Sequence, residues 1–195
     1  FVGVNPANGN LLFQNAQGDI TEDLIESDQV ARGMNAYPDY QGSFGFDAEF
    51  DNFFLVAQLN YAIGVDRYDF DYADFLDPTA IGQFRHSREL LNAWSQPGDI
   101  TNIPSLNATN LSDEGLSDRY LREADYLRLR FIQFGYNFPQ SILQDTGFSY
   151  IRAFAGGENL LTFSKWKGFD AEGSGSASRG YPTPKTFSIG LEFGF

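Results

Sequence analysis

Phe187, Ile189, Leu191, Phe193 and Phe195 alternate without a break with Thr186, Ser188, Gly190, Glu192 and Gly194. A period of two sustained over this length is the repeat of a β-strand with one apolar and one wet face. The pattern recurs at Phe44, Phe46, Ala48 and Phe50, with Gly45, Asp47 and Glu49 opposite. A turn at Asp51-Asn52 then leads into Phe53 to Ile63, where Leu55, Ala57, Leu59, Tyr61 and Ile63 alternate with positions that include Gln58 and Asn60. Two such runs joined by so short a turn predict an antiparallel hairpin.

A fourth run, ending at Phe138, changes phase midway. Leu127 and Leu129 have one parity; Ile132, Phe134, Tyr136 and Phe138 have the other. A one-residue bulge near Arg130 and Phe131 would bring all six to one side and leave Arg128, Arg130, Gln133 and Asn137 on the other. A fifth run follows, with Ile151, Ala153 and Ala155 apolar and Arg152 opposite. The expected strands are 41–50, 53–63, 122–138, 148–163 and 183–195, separated by long connections over 1–40, 64–121 and 164–182. The other connections, Asp51-Asn52 and 139–147, are short. Outer-membrane barrels show this asymmetry, with short periplasmic turns and longer extracellular loops. Counting strands down and up then puts the C-terminus on the short-turn side. Within the longest loop, Asp77 and Pro78 predict the start of a helix whose stripe is Ala80, Phe84, Leu91 and Trp94, stopped by Pro97-Gly98.

Composition narrows the classes. A formal net charge of −13 repels phosphate backbones, which argues against nucleic-acid binding. Without cysteine there is no disulfide, thiolate zinc site or thiol nucleophile. The 20 Phe, 10 Tyr and 2 Trp suit a binding surface or a membrane-interface girdle. No apolar run reaches the roughly 20 residues of a membrane helix, so any crossing is made by strands. Five strands cannot close a membrane barrel, whose smallest forms have about eight. The chain opens Phe1-Val2-Gly3, with no Met and no basic leader, as expected of a piece that begins mid-protein.

The final residues Ser188-Ile189-Gly190-Leu191-Glu192-Phe193-Gly194-Phe195 resemble the C-terminal β-signal of outer-membrane proteins, with Ser188, Gly190, Phe193 and Phe195 at its marked positions. Longer stretches resemble the C-terminal barrel region of SusC/RagA-type TonB-dependent transporters. They are Trp94-Ser95-Gln96-Pro97-Gly98-Asp99-Ile100-Thr101-Asn102-Ile103-Pro104, Ser117-Asp118-Arg119-Tyr120-Leu121, Gly135-Tyr136-Asn137-Phe138-Pro139, Glu158-Asn159-Leu160-Leu161-Thr162-Phe163 and Tyr181-Pro182-Thr183-Pro184-Lys185. Lys165-Trp166-Lys167-Gly168-Phe169-Asp170 continues the match, with Ala171 where that family often has Pro. The resemblance implies an all-β fold: C-terminal antiparallel strands of a transmembrane barrel of about 22 strands with a plugged lumen. It also implies an N-terminal plug and TonB-interacting segment, a SusD-like surface lipoprotein as partner, and recognition of the last strand by the barrel-assembly machinery. The substrates implied are oligosaccharides or peptides, taken up across the outer membrane of Bacteroidota, with the C-terminus periplasmic. No cofactor and no covalent chemistry are implied.

Arg128, Arg130, Gln133 and Arg152 are candidate lumen-facing residues, with anionic plug residues or substrate as possible contacts. Trp166, Phe169 and Tyr181 could stack on sugar rings, while Trp166 and Tyr181 equally suit an interfacial girdle. The acidic tract Asp66, Asp69, Asp71, Asp74 and Asp77 could offer oxygen ligands to Ca²⁺, but its spacing is not that of an EF-hand and a solvated loop explains it more simply. His86, the single histidine, has no Cys or second His to make a metal site or triad. Asp118, Glu123 and Asp125 lie among arginines and read as ion pairs more simply than as a hydrolase pair. The competing fold is a soluble secreted β-sandwich that binds glycans, in which the apolar faces would be covered by a second sheet. A barrel with a purely structural or adhesive role is a further alternative.

Overall fold

The computed structural model describes residues 1–173 and 182–195, apart from the side chains of residues 113, 114 and 116. The chain divides into two compact units, one of Phe1–Met34 and Arg67–Arg122, the other of Asn35–Asp66, Glu123–Gly173 and 182–195.

The second unit is a five-stranded antiparallel sheet. Numbering strands along the whole chain, its members are β4 (Tyr40–Phe50), β5 (Phe53–Ile63), β8 (Tyr126–Asn137), β9 (Tyr150–Ser164) and β10 (Thr186–Gly194), in the spatial order β10-β9-β8-β5-β4. Neighbours in the sheet are therefore neighbours in the chain, once the excursion between β5 and β8 is set aside. Phe50 pairs with Phe53 across the Asp51-Asn52 turn, where Asp51 adopts a left-handed φ of 54°. Asp tolerates that region better than most side chains. β8 and β9 are joined by the short helix α2 (Gln140–Leu143). At the chain end Phe148 lies 5.4 and 5.3 Å, ring to ring, from Phe193 and Phe195.

The phase change in β8 is a bulge. Leu59 pairs with Leu129, but Gln58 pairs with Phe131, leaving Arg130 as the extra residue. β9 breaks step at the same height: Leu161 opposes Leu129 and Glu158 opposes Phe131, with Asn159 at a φ of 54°. The register then carries one apolar face across the sheet. Phe46, Ala57, Ile132, Gly157 and Phe187 form one row; Ala48, Leu55, Phe134, Ala155 and Ile189 form the next.

That face is uncovered. Phe46 is 50% exposed, Phe134 52%, Phe187 76% and Ile189 90%. The sandwich expectation fails here, because a second sheet over this face would have buried these side chains. Single exposed apolar residues are ordinary, but a contiguous apolar face on this scale belongs to an interaction or membrane surface.

The first unit is of another kind. β1 (Gly3–Val4), β2 (Leu11–Gln14) and β3 (Ile20–Thr21) make a small sheet where the sequence indicates only loop. Val4, Leu11 and Phe13 are buried there. A second core gathers Leu76, Leu90, Ile103 and Tyr120. Burial pushes the Tyr120 hydroxyl up to about 12, so it stays neutral across the physiological range.

Two local expectations are corrected. The helix expected from Asp77 through Trp94 does not form. Instead α1 (Phe70–Leu76) precedes it, capped by Asp69, whose side chain accepts the Tyr72 N–H. Asp77 caps only a 3₁₀ turn, Pro78–Ala80, before Gly82 at φ 90° breaks the path. The strand expected from residue 122 is also interrupted. β7 (Leu121–Glu123) pairs with β6 (Asp66–Tyr68), and β8 begins only at Tyr126. Ala124, fully buried, donates its N–H to Val65 O at 2.7 Å and fixes the step between them. Among the described residues no helix is long and apolar enough to cross a membrane.

Candidate functional site

The face opposite the apolar one carries the charge. Asn60, Arg128 and Thr162 stand in one row across β5, β8 and β9; Asp47, Val56, Gln133, Gly156 and Ser188 stand in another. Arg152 pairs with Asn137 and Glu192. The bulge puts Arg130 beside them, donating from Nη1 to Asn159 Oδ1 at 3.0 Å. Arg128, Arg130, Gln133 and Arg152 therefore belong to one wet face.

Arg128 is 3% exposed, and a guanidinium so buried needs an anion. The segment after β9 supplies two. Asp170 Oδ1 accepts a short hydrogen bond from Arg128 Nη2, and Glu172 Oε1 accepts one from Arg130 Nη2. Arg128 Nη1 also lies 2.8 Å from Glu172 Oε2. Asp170 further accepts the Glu172 N–H on Oδ1 and the Thr183 N–H on Oδ2, both at 3.0 Å. Burial opposes charge on Asp170, but the Arg128 guanidinium and these N–H donors together hold its carboxyl well below the usual carboxylate range. The result is a clasp: two carboxylates two residues apart close on two arginines two residues apart. It ties both ends of the β9–β10 connection to the wet face.

The acids of this clasp, Asp170 and Glu172, are partners that the sequence reading missed. Their signal was present as Asp-x-Glu facing Arg-x-Arg, but 42 residues separate the partners. Of the arginines expected to meet a plug or substrate, Arg128 and Arg130 lie against Asp170 and Glu172 of this chain. Arg152 keeps looser company. Its Nε donates to Asn137 Oδ1 at 2.8 Å, its guanidinium lies 4.8 Å from the Phe54 ring centre, and Glu192 is 3.8 Å away.

Of the loop aromatics, Trp166 packs on a core of Ala62, Val65 and Ala124, while Phe169 is 56% exposed. Tyr181 lies outside the described residues. Of the residues expected to form a β-signal, Ser188 stands opposite Gly156 and Gly190 opposite Phe154, while Phe193 and Phe195 are 44% and 94% exposed. Asp69 and Asp77 of the acidic tract serve as caps, and among the described residues no three His, Asp or Glu side chains converge as a metal site.

No family model matches the chain. In sequence it is similar to a TonB-dependent receptor of Formosa agariphila, 31% identical over 198 residues, which cover 96% of this chain and 19% of that protein. A second TonB-dependent receptor of the same organism is 27% identical over 171 residues, covering 81% of this chain and 16% of its own length. In structure the chain is similar to the RagAB peptide transporter, with a TM-score of 0.85 at 24% identity over 98% of this chain and 22% of that one. The RagAB peptide importer in its open-open state gives a TM-score of 0.84 at 23% identity, over 100% of this chain and 21% of that one. The chain thus spans between 16% and 22% of the proteins it is compared with here. The antiparallel sheet with one uncovered apolar face shares its fold with the RagAB transporter, and 31% identity over nearly all of this chain makes it a member of the TonB-dependent receptor family, as a piece of its barrel.

Proposed function

We propose that this chain is wall and external loop of an outer-membrane nutrient importer energised through TonB. The observation that carries the reading is the uncovered apolar face, running from Phe46 to Phe187 across all five strands and backed by a charged face. Acyl chains solvate the first, and a water-filled, plugged lumen solvates the second. Closure takes further strands, about 22 in a barrel with a plugged lumen. The short connections at Asp51-Asn52 and α2 lie on the periplasmic side together with the C-terminus.

The cargo is an oligosaccharide or a peptide, received with a SusD-like lipoprotein; kinship with proteins named as peptide importers favours the peptide arm. Arg128 and Arg130 are engaged by their own acids, which leaves Gln133 and Arg152 to meet the plug. Phe169, 56% exposed, is a loop aromatic that cargo would meet. Ser188, Gly190, Phe193 and Phe195 form the signal read during assembly.

The test uses the full-length protein in its own host. It should fractionate with the outer membrane, need detergent to stay dispersed, and support uptake of labelled peptides or oligosaccharides that is lost when TonB is removed. A full-length protein that stays monodisperse in plain buffer ends the barrel reading. Uptake unchanged by deleting its gene ends the importer reading.

A further inference from the structure

On the wet face, aromatic rings lie over glycines of the neighbouring strand. Glu49, Phe54, Gly135, Phe154 and Gly190 form one row across the five strands. The Phe54 ring covers Gly135 and the Phe154 ring covers Gly190, so both rings lean the same way along the row. Four residues from Phe154, Tyr150 covers Gly194, four residues from Gly190. A Cβ built on Gly190 would collide with the Cζ edge of the Phe154 ring, 2.7 Å from both Cε1 and Cε2, and its three nearest atoms all belong to that ring. A glycine inside a strand otherwise weakens it, unless another group makes use of the bare backbone. Here a ring does.

The spacing has a consequence for register. If β10 slips by two residues on β9, Phe154 faces Ser188 or Glu192, both of which carry a Cβ where the ring must lie. If it slips by four in the direction that sets Tyr150 against Gly190, Phe154 faces Thr186. Only the native alignment seats both rings. Tyr150 adds a hydrogen bond from its hydroxyl to Glu192 Oε1 at 2.8 Å in that same alignment. Strand register is otherwise specified by which face is apolar, and that criterion cannot see an even-numbered slip.

We propose that the Phe154–Gly190 and Tyr150–Gly194 ring seats set the register of the last strand, so that Gly190 is required because a ring occupies its side-chain space. This deepens the barrel reading and rests on it. The competing account is that the assembly machinery reads the glycine itself.

The two accounts separate in the full-length protein, followed by the fraction that migrates as a heat-modifiable, protease-resistant barrel. Gly190→Val should lower that fraction about tenfold, the scale that overpacking a filled site commonly costs. Phe154→Ala removes one seat and should cost less. The double variant should fall no further than Phe154→Ala alone, because the clash has gone. A double variant as low as Gly190→Val, or a Gly190→Val protein that assembles normally, overturns the proposal. Should Phe154→Ala itself fail to assemble, the exchange of Phe154→Gly with Gly190→Phe decides: recovery supports the seat and failure overturns it. An unaltered protein without any heat-modifiable form would sink the barrel reading instead.

Discussion

Ile100 and Ile189 are almost equally exposed, at 95% and 90%, yet they belong to different solvents. Ile100 lies in the first unit among Asp99, Thr101 and Asn102, and that unit has cores of its own, in which Phe13 and Tyr120 are buried. Ile189 lies in a row with Ala155, Phe134, Leu55 and Ala48, and its unit turns such rows outward. Exposure alone does not distinguish the two. The company each residue keeps does. The units also treat carboxylates in opposite ways. Asp69, 1% exposed, has its carboxyl pushed up by burial, only partly offset by the Tyr72 N–H and by Arg122 at 3.9 Å. Asp170 is partly buried, but the donors around it outweigh the burial and hold its carboxyl down.

The contrast breaks most sharply at Arg128. Arg128→Ala leaves Asp170 and Glu172 facing a partly buried site with one cation fewer, and removal of one partner from such a site costs about 3–5 kcal/mol. Denaturant unfolding of the full-length protein in detergent should show that loss, with faster tryptic cleavage at Lys165 and Lys167. Loss of a few tenths only would mean that the clasp is ornamental. Next comes the pair of isoleucines. Ile189→Arg should destabilise the protein in bilayers by about 2–4 kcal/mol, as a cation at mid-depth on a lipid face does. Ile100→Arg should stay within about 0.5 kcal/mol, as surface substitutions do. Equal effects would erase the distinction between the two units.

Acid sharpens the comparison further. The folded value of Asp170 lies below its unfolded value of about 3.9, so its favourable contribution is complete above that pH and is lost as the pH falls toward the folded value. Asp69 has the opposite sign: its charged form is disfavoured in the fold, and acid relieves that cost as the pH drops through the raised value. Hydrogen exchange on lowering the pH should therefore show the Tyr72 amide, bound to Asp69, losing protection first, and the amides of Glu172 and Thr183, both bound to Asp170, losing theirs only below about pH 4. The smallest effect is Asp69→Asn. Asn caps a helix as well as Asp does, so at neutral pH the change should be within about 0.5 kcal/mol, whereas Asp170→Asn should be clearly destabilising.

Much of the sheet was legible because alternation is a local signal. The Asp51-Asn52 hairpin and the bulge at Arg130 both follow from parity, read a few residues at a time. The clasp was not legible, since nothing near Arg128 in the chain names Asp170 as its partner. The ring seats were hidden for a related reason: Gly190 reads as a member of the small-and-polar set until Phe154 is known to stand opposite. In the first unit the error was one of kind. Asp77 and Pro78 do begin a turn, but Gly82 ends the path before a helical stripe can bury anything.

The bulge in β8 bears on how such proteins are counted. Scanned for strict two-fold periodicity, β8 breaks into fragments 126–129 and 131–137, neither of which reaches the about 9–11 residues needed to traverse hydrocarbon. A genome survey that demands unbroken phase would discard both and report a barrel one strand short. With an odd total its ends would come out on opposite sides, and the inferred topology would be inverted from that point on. Allowing a single skipped residue restores the tally.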